Sequence, residues 1–329
     1  MVGYVLDKHW ENEGPSYGKK EGDPNAYTPG LIGEHNVVVA HMPGMGSNRA
    51  AMVAQAMKMS FKHIKLAIVV GICGVVPFNF ETKRDIVLGD CIISTAVAQY
   101  DFGKQYPLSF VAKASPEDIL GHASAEFRSL TAKLSTDHNQ ERLTKRLGHH
   151  LEELLAELLA KEKDVKYPGA QRDLLFQPDY SHQHRNGEKM CGECLKDSSG
   201  ICTKDCNLLG CEESQLVRRK RLESSGTSAT TSANLPPIIH FGPFGSANTV
   251  MKSGLHRDNI ARKRLLAFEM EGSGVWDIFQ TIVIKSGCDY ADSHKSKEWQ
   301  PYAAATAAAG LKALLEEWVV VDEERSSKG

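Results

Sequence analysis

The sequence contains no apolar run that approaches the roughly 20 residues needed to span a bilayer. Its first ten residues are polar and acidic too early to form the apolar region of a signal peptide. It also has no excess of charge, because 39 basic residues face 41 acidic ones and the formal net charge is -2. A nucleic acid backbone is held by bulk electrostatics, so a near-neutral chain is a poor partner for one. We therefore expect a cytoplasmic protein with neither a membrane nor a nucleic acid as partner.

A disulfide framework is not expected in such a protein, although the chain has eight cysteines. Five of them fall between residues 191 and 211, with two histidines just upstream at His182 and His184. The spacing Cys191-x-x-Cys194 is typical of a zinc knuckle. Cys202 and Cys206, or one of the histidines, could complete a tetrahedral, structural zinc site. The alternative is a loop of reduced thiols.

The rest of the chain has an α/β pattern. Residues 37–41, 66–71 and 86–97 are predicted strands, and residues 116–164 and 302–320 are predicted helices with apolar stripes. We predict a loose lead-in over 1–30, one domain over 31–320, and a frayed tail over 321–329. A Cys-rich, low-complexity insertion over 167–235 interrupts the domain. The basic run at 218–221 lies in this insertion, and we expect it to be solvated.

Two motifs near the C-terminal end carry the chemistry. The first is FEMEGSG at 268–274, in which Glu269 and Glu271 flank Met270; a thioether between two acids suits the face and hydroxyls of a sugar. The second is CDYADSHK at 288–295, where a β-branched strand ends in a turn that carries Asp289 and Asp292. Groups at the carboxyl ends of strands in α/β sheets face the ligand crevice. Both motifs are therefore predicted to lie at one site.

The two motifs together resemble the signature of the nucleoside phosphorylase and nucleosidase superfamily. The branch most similar to this chain occurs in fungal proteins and is often joined to NACHT, ankyrin or tetratricopeptide regions. Further matches follow in the family's order at 27–38, 70–77, 85–90, 99–104, 167–170 and 246–252. The resemblance implies a three-layer αβα fold with a central mixed, partly barrel-like sheet.

The resemblance also implies a purine nucleoside as substrate and roles for individual residues. Asp289 matches the general acid that protonates the purine, which requires an uncharged carboxyl group in a partly desolvated site; a helix-capping acid is its alternative role. Glu271 matches the ribose-binding carboxylate, and Met270 packs against the sugar. The other candidate contacts to the substrate are Glu269, Asn248, Val250 and Met251. Catalysis in this family requires no cofactor, and because relatives often complete the site across subunits, a homo-oligomer is expected.

The nucleophile side departs from the family. Phosphorylases carry an Arg before the Gly that matches Gly71 and a Ser after it, but this chain has Val70 and Ile72. Relatives also begin with a strand and loop that this chain does not match, and Lys285 replaces an Arg, whose planar fork it lacks. Hydrolysis of the N-glycosidic bond is therefore the first hypothesis. A phosphorylase and a non-catalytic nucleoside-binding or sensor module are the alternatives.

Two loops leave alternatives open. The turn at 43–48, PGMGSN, precedes a predicted helix, so it could cradle an anion or be only a tight, capped turn. Tyr100 ends a predicted strand, where an aromatic ring could cover a purine or belong to the core.

Overall fold

The chain combines strands and helices as expected for an α/β protein. The computed structural model describes residues 1–13, 18–107, 110–113, 124–185, 201–202, 204–224, 235–262 and 264–319. The strands are β1 (Lys8–His9), β2 (Tyr27–Ile32), β3 (His35–Ala40), β4 (Ala67–Val75), β5 (Phe78–Asn79), β6 (Arg84–Asp85), β7 (Cys91–Gln99), β8 (Gly103–Gln105), β9 (Phe110–Ala112), β10 (Ile239–Ser246), β11 (Ala267–Glu269) and β12 (Thr281–Asp289).

The helices surround these strands. They are α1 (Trp10–Glu13), α2 (Ser47–Ser60), α3 (Ala125–Leu134), α4 (Asp137–Ala160), α5 (Cys206–Leu209), α6 (Lys220–Ser224), α7 (Gly254–Ala261), α8 (Gly272–Trp276) and α9 (Gln300–Leu315), with 3₁₀ turns at Val2–Val5, Ala170–Arg172 and Glu213–Gln215. Across the described ranges, none of them combines the length and apolar character that a membrane crossing needs.

A closed barrel with the strand order β10-β11-β4-β12-β7 forms the centre of the fold. β12 runs parallel to β4 and antiparallel to β7, so the sheet is mixed. Ile282, Val283 and Ile284 of β12 are fully buried, as expected for a strand covered on both faces. This barrel with its flanking helices confirms the predicted fold.

The Ala-rich helix α9 covers one side of the barrel, where it packs on β12, β4 and α4. Its small side chains allow close approach: a Cβ on Gly310 would lie 2.7 Å from the sulfur of Cys91. The predicted leucine stripe of α4 is buried in the same core, at Leu143, Leu147, Leu151, Leu154 and Leu158. α2 and α8 contact each other elsewhere on the barrel.

The prediction of a loose lead-in over 1–30 was wrong for the residues that the structure describes. Val5 and Leu6 are buried in the core, and β1 pairs antiparallel with β2. The Asp7 carboxylate accepts bonds from the backbone N–H of Gly33 at 2.7 Å and from Lys312 Nζ at 2.6 Å. The elements that precede β2 are two to four residues long, which is too short for a periodic pattern to predict them.

The expected solvated basic run in the insertion is also corrected. Arg219 is only 5% exposed and donates to the hydroxyl of Tyr290 at 2.6 Å and to the carbonyls of Pro77 and Ile86. Arg221 pairs with the buried carboxylate of Asp90. These partners lie far away along the chain, so the sequence around the basic run could not predict them.

The flanks of the insertion belong to the main core rather than to a separate unit. Leu175 is buried in that core, and a β-bridge joins Phe176 to Leu216. Most of the low-complexity segment, at 225–234, and the predicted tail at 321–329 lie outside the described residues.

Candidate active site

The two motifs meet at one cleft, where Phe268 of β11 and Asp289 at the end of β12 both pair with Gly74 of the intervening strand β4. The cleft has a volume of about 2560 Å³, and Phe268, Met270, Glu271 and Asp289 are among its lining residues. This is larger than the roughly 300–1,000 Å³ of a typical small-molecule site. A nucleoside would therefore occupy only part of it.

Glu271 is held at this cleft by a buried ion pair. Its Oε2 accepts a hydrogen bond from Lys285 Nζ at 2.9 Å, and its Oε1 accepts one from the backbone N–H of Gly46 at 3.3 Å. Burial by itself would raise the pKa of Glu271, but the Lys285 ammonium and the Gly46 N–H outweigh burial and lower the pKa below its ordinary value. Glu271 is therefore an ionised acceptor at neutral pH.

Lys285 remains charged although it is buried. Burial alone would lower the pKa of its ammonium, but the carboxylates of Glu269 and Glu271, at 3.9 Å and 2.9 Å from Nζ, raise the pKa above its ordinary value. Gly71 of β4 gives this side chain room, since a Cβ there would lie 3.3 Å from Nζ. The residue noted from the sequence only as an Arg replacement thus sets the charge of Glu271.

Asp289 ends β12, where the pairing with β4 shifts register next to Gly74. Its Oδ1 accepts hydrogen bonds from Lys295 Nζ and from the backbone N–H of Ala291, each at 2.8 Å. Its Oδ2 lies 3.5 Å from the Cys288 thiol, a weak donor. The two strong bonds therefore fall on Oδ1, and Oδ2 is the oxygen that has no strong donor among the described residues.

The carboxylate of Glu269 is committed to the backbone. It is fully buried and accepts bonds from the N–H of Glu271 at 2.9 Å and from that of Gly272 at 3.0 and 2.8 Å. These are N–H groups at the start of α8, which lack partners within the helix. Glu269 thus holds the turn that presents Glu271, and its oxygens are used by the backbone rather than open to a sugar.

Asn248 braces the start of α2. Its Oδ1 accepts bonds from the backbone N–H of Ser47 at 2.9 Å and from the Ser47 hydroxyl at 3.0 Å, and its own N–H donates to Asp101 at 2.7 Å. Beyond it, Val250 is 46% exposed and Met251 only 6% exposed, and both line the cleft. Asn248 is exposed and braces α2, whereas Val250 and Met251 line the cleft.

The turn at 43–48 is a tight turn in which the N-cap residue of α2, Gly46, makes no side-chain cap bond and two backbone donors bind distant side chains. Gly46 has φ +110°, a conformation that side-chain-bearing residues rarely adopt. Its N–H points to Glu271, and the N–H of Ser47 points to Asn248. Two N–H groups at the start of α2, those of Gly46 and Ser47, therefore bind side chains of the protein rather than an anion.

Tyr100 belongs to the core, and Phe268 presents the aromatic ring at the cleft. The Tyr100 ring is 8% exposed and packs edge-on against Phe268, with ring centroids 5.7 Å apart. Sequence reasoning missed Phe268 as a contact, although it directly precedes Glu269. Lys295 was also missed, although it lies in the second motif.

The second carboxylate of the turn, that of Asp292, also lines the cleft, but its hydrogen bond and its ion pair are made within the protein. Asp292 is 6% exposed, and its Oδ1 accepts the backbone N–H of His294 at 2.8 Å. Burial raises the pKa of Asp292 above its ordinary value. Its contacts shape the turn that follows Asp289.

The cysteine-rich segment brings a different ligand set together than the predicted one. Cys191 and Cys194 lie outside the described residues. Cys202 is buried, but its sulfur is not part of the cluster formed by His182, Cys206 and Cys211, whose ligand atoms lie within 4.8 Å of one another. Of the two predicted cysteines that the structure describes, only Cys206 is thus placed to hold a metal with other described ligands.

Comparison with known proteins agrees with this architecture. The family model described as "Phosphorylase superfamily" matches residues 7–157. A nucleotide-binding leucine-rich repeat (NLR)-like protein of Hyaloscypha variabilis is 32% identical over 314 residues, and the match covers 92% of this chain but 27% of that relative. The chain thus spans about a quarter of the relative's length.

Solved structures show the same fold at low identity. The 5′-methylthioadenosine/S-adenosylhomocysteine nucleosidase of S. pneumoniae aligns with a TM-score of 0.51 at 14% identity, over 95% of this chain and 91% of that one. The S-adenosylhomocysteine nucleosidase of Streptococcus pyogenes gives a TM-score of 0.51 at 13% identity, over 97% and 91%.

Proposed function

We propose that this chain, whose residues 7–157 match the phosphorylase superfamily model, cleaves the N-glycosidic bond of a purine nucleoside, with water as the nucleophile. One observation supports this most directly: Glu271, ionised through Lys285, and Asp289 line the same cleft. An acceptor for ribose hydroxyls and a group that can protonate a base are the two functions that such a cleavage requires.

The chemistry divides between the two carboxyl groups. As the glycosidic bond breaks, negative charge develops on the purine and positive charge on the sugar. In the proposed reaction, Asp289 donates a proton from Oδ2 to the purine, while Glu271 accepts hydrogen bonds from the ribose hydroxyls. Met270, half-buried beside Glu271, packs against the sugar. Phe268, at the same cleft, offers an aromatic edge to the base.

Water is favoured over phosphate by the side chains and the backbone around the sugar. Val70 and Ile72 line the cleft but carry no charge and no side-chain donor. The N–H groups of Gly46 and Ser47, which begin α2, already bind Glu271 and Asn248. A phosphate at this point would therefore meet an existing carboxylate and few free donors.

A second candidate function is a nucleoside-binding module that leaves its ligand intact. The NLR-like relative favours it, since this chain matches 27% of that protein's length and so corresponds to one part of a larger protein. In this case Glu271 would still recognise ribose, but no free base would form.

The decisive experiment incubates the purified protein with inosine, guanosine, adenosine or 5′-methylthioadenosine, with and without phosphate. We expect free base and free sugar at a rate that does not depend on phosphate. Formation of a sugar 1-phosphate would show that the reaction is phosphorolysis and not hydrolysis. A thermal shift with no base release from any nucleoside would favour the binding module.

A further inference from the structure

We propose that His182, Cys206 and Cys211 form a zinc site that ties the insertion to the turn after Asp289. The imidazole nitrogen and the two sulfurs lie within 4.8 Å of one another, and Cys206 Sγ is 3.5 Å from His182 Nε2. Two thiolates and an imidazole are a ligand set typical of zinc. The site does not depend on the proposed cleavage reaction.

The orientation of His182 is already that of a metal ligand. Its Nδ1 lies 2.7 Å from the carbonyl oxygen of Cys202, and since a carbonyl can only accept, Nδ1 carries the hydrogen. Nε2 therefore presents its lone pair to Cys206. Metal-bound histidines are commonly fixed in this way, by a backbone carbonyl on the other ring nitrogen.

The backbone brings the two sulfurs together through one helical turn. Cys206 begins α5, and Gly210 ends it in the left-handed conformation at φ +70°. The N–H of Cys211 then donates to the carbonyl of Cys206 at 3.1 Å. This reversal places both side chains beside His182, and both cysteines remain half-buried, so a metal ion can reach them.

Among the described residues, the apolar core around the cluster is small. It contains Cys202 and Leu209, with Cys211 packed against them. A bound zinc ion supplies the folding free energy that such a small core lacks. Three protein ligands leave one tetrahedral position for water or for a further side chain.

The same site contacts the turn that follows Asp289. The backbone N–H of His182 donates to the Ser293 hydroxyl at 3.0 Å, and its ring lies 4.7 Å from that of His294. Lys295, the next residue, holds Asp289. A metal at His182 would therefore fix the insertion against the segment that positions Asp289.

The test measures metal in tag-free protein that was expressed with zinc in the medium and purified under reducing conditions. We expect about one zinc ion per chain by elemental analysis. Cys206→Ser and Cys211→Ser should each lower this content several-fold, whereas the matched control Cys202→Ser should keep it. Zinc-free parent protein, or a Cys206→Ser variant with the parent's zinc content, would overturn the proposal.

Two measurements on the parent protein protect the test against variants that do not fold. Removing zinc with a chelator should lower Tm, and adding zinc back should restore it. Cobalt added to the metal-free protein should give the charge-transfer absorption of thiolate ligands. A Cys206–Cys211 disulfide in the purified protein would count against the site. So would zinc that is lost on Cys191→Ser/Cys194→Ser substitution but kept in Cys206→Ser/Cys211→Ser.

Discussion

Lys285 Nζ lies 2.9 Å from Glu271 Oε2 at a position where the lysine side chain is 6% exposed and the glutamate side chain 16%. The two residues come from β12 and from the turn after β11, so the pair joins the first motif to the strand that leads into the second. It stabilises the carboxylate that the proposed reaction uses to bind ribose. Removal of either partner leaves the other poorly solvated.

Lys285→Met should therefore destabilise the fold. The substitution leaves Glu271 and the fully buried Glu269 without their shared cation. Loss of one partner of a buried ion pair costs about 3–5 kcal/mol, which urea unfolding can measure. The matched control is Lys166→Met, which removes an exposed pair with Asp164 and should leave the unfolding midpoint unchanged. Equal midpoints for the two variants would contradict the role given to Lys285.

The contribution of Glu271 to stability should depend on pH in the acidic range. Its pKa is lowered in the folded protein, so the contribution is fully present above its ordinary pKa of 4.5 and is lost as pH falls through the lowered value. Glu271→Gln lacks this titration. The difference in unfolding free energy between parent and Glu271→Gln should thus be constant near neutral pH and shrink on acidification. A difference that grows toward low pH would contradict the direction of this pKa shift.

Asp289→Asn should lower the proposed cleavage by about 10²–10⁴-fold, the usual contribution of a general acid. An amide has no proton of suitable acidity to give to the purine, but it can still accept the N–H of Ala291. Nucleoside binding, followed by thermal shift, should therefore change little. Asp164→Asn on the exposed surface is the control. Cleavage at the parent rate in Asp289→Asn would remove this residue from the reaction.

Gly74→Ala should displace the Asp289 carboxylate. A Cβ at Gly74 would lie 2.9 Å from Asp289 Oδ1 and 2.9 Å from the Cβ of Ala291, so the turn must shift. Overpacking of this kind costs about 1–3 kcal/mol, and we expect base release to fall with it. Gly148→Ala is the matched control, since a Cβ there meets nothing within 4 Å and the residue lies within α4. That control should gain about 0.5–1 kcal/mol. A Gly74→Ala variant as active and stable as the parent would show that Asp289 has more room than the structure gives it.

The fold was readable from the sequence because it depends on local patterns, whereas the position of the active site stays a prediction. The β-branched run of β12 predicts a buried strand, and the leucine spacing of α4 predicts which face of that helix is buried. The order of the two motifs matched that of a known family, which predicted the mixed barrel that the structure confirms. The same motifs predicted that Glu271 and Asp289 share a cleft, as the structure describes them.

The tertiary structure alone decided which side chains that lie far apart in the chain form hydrogen bonds and ion pairs with each other. Glu269 and Glu271 are two residues apart and chemically identical, yet one binds backbone N–H groups and the other binds Lys285. Arg219 was expected in solvent, but its three acceptors come from distant segments. Charge and hydropathy report a side chain's cost of burial; they do not report which donor or acceptor the fold will bring to offset that cost. For this reason the sequence predicted where the site lies, and only the folded chain determined which atoms are free to act in it.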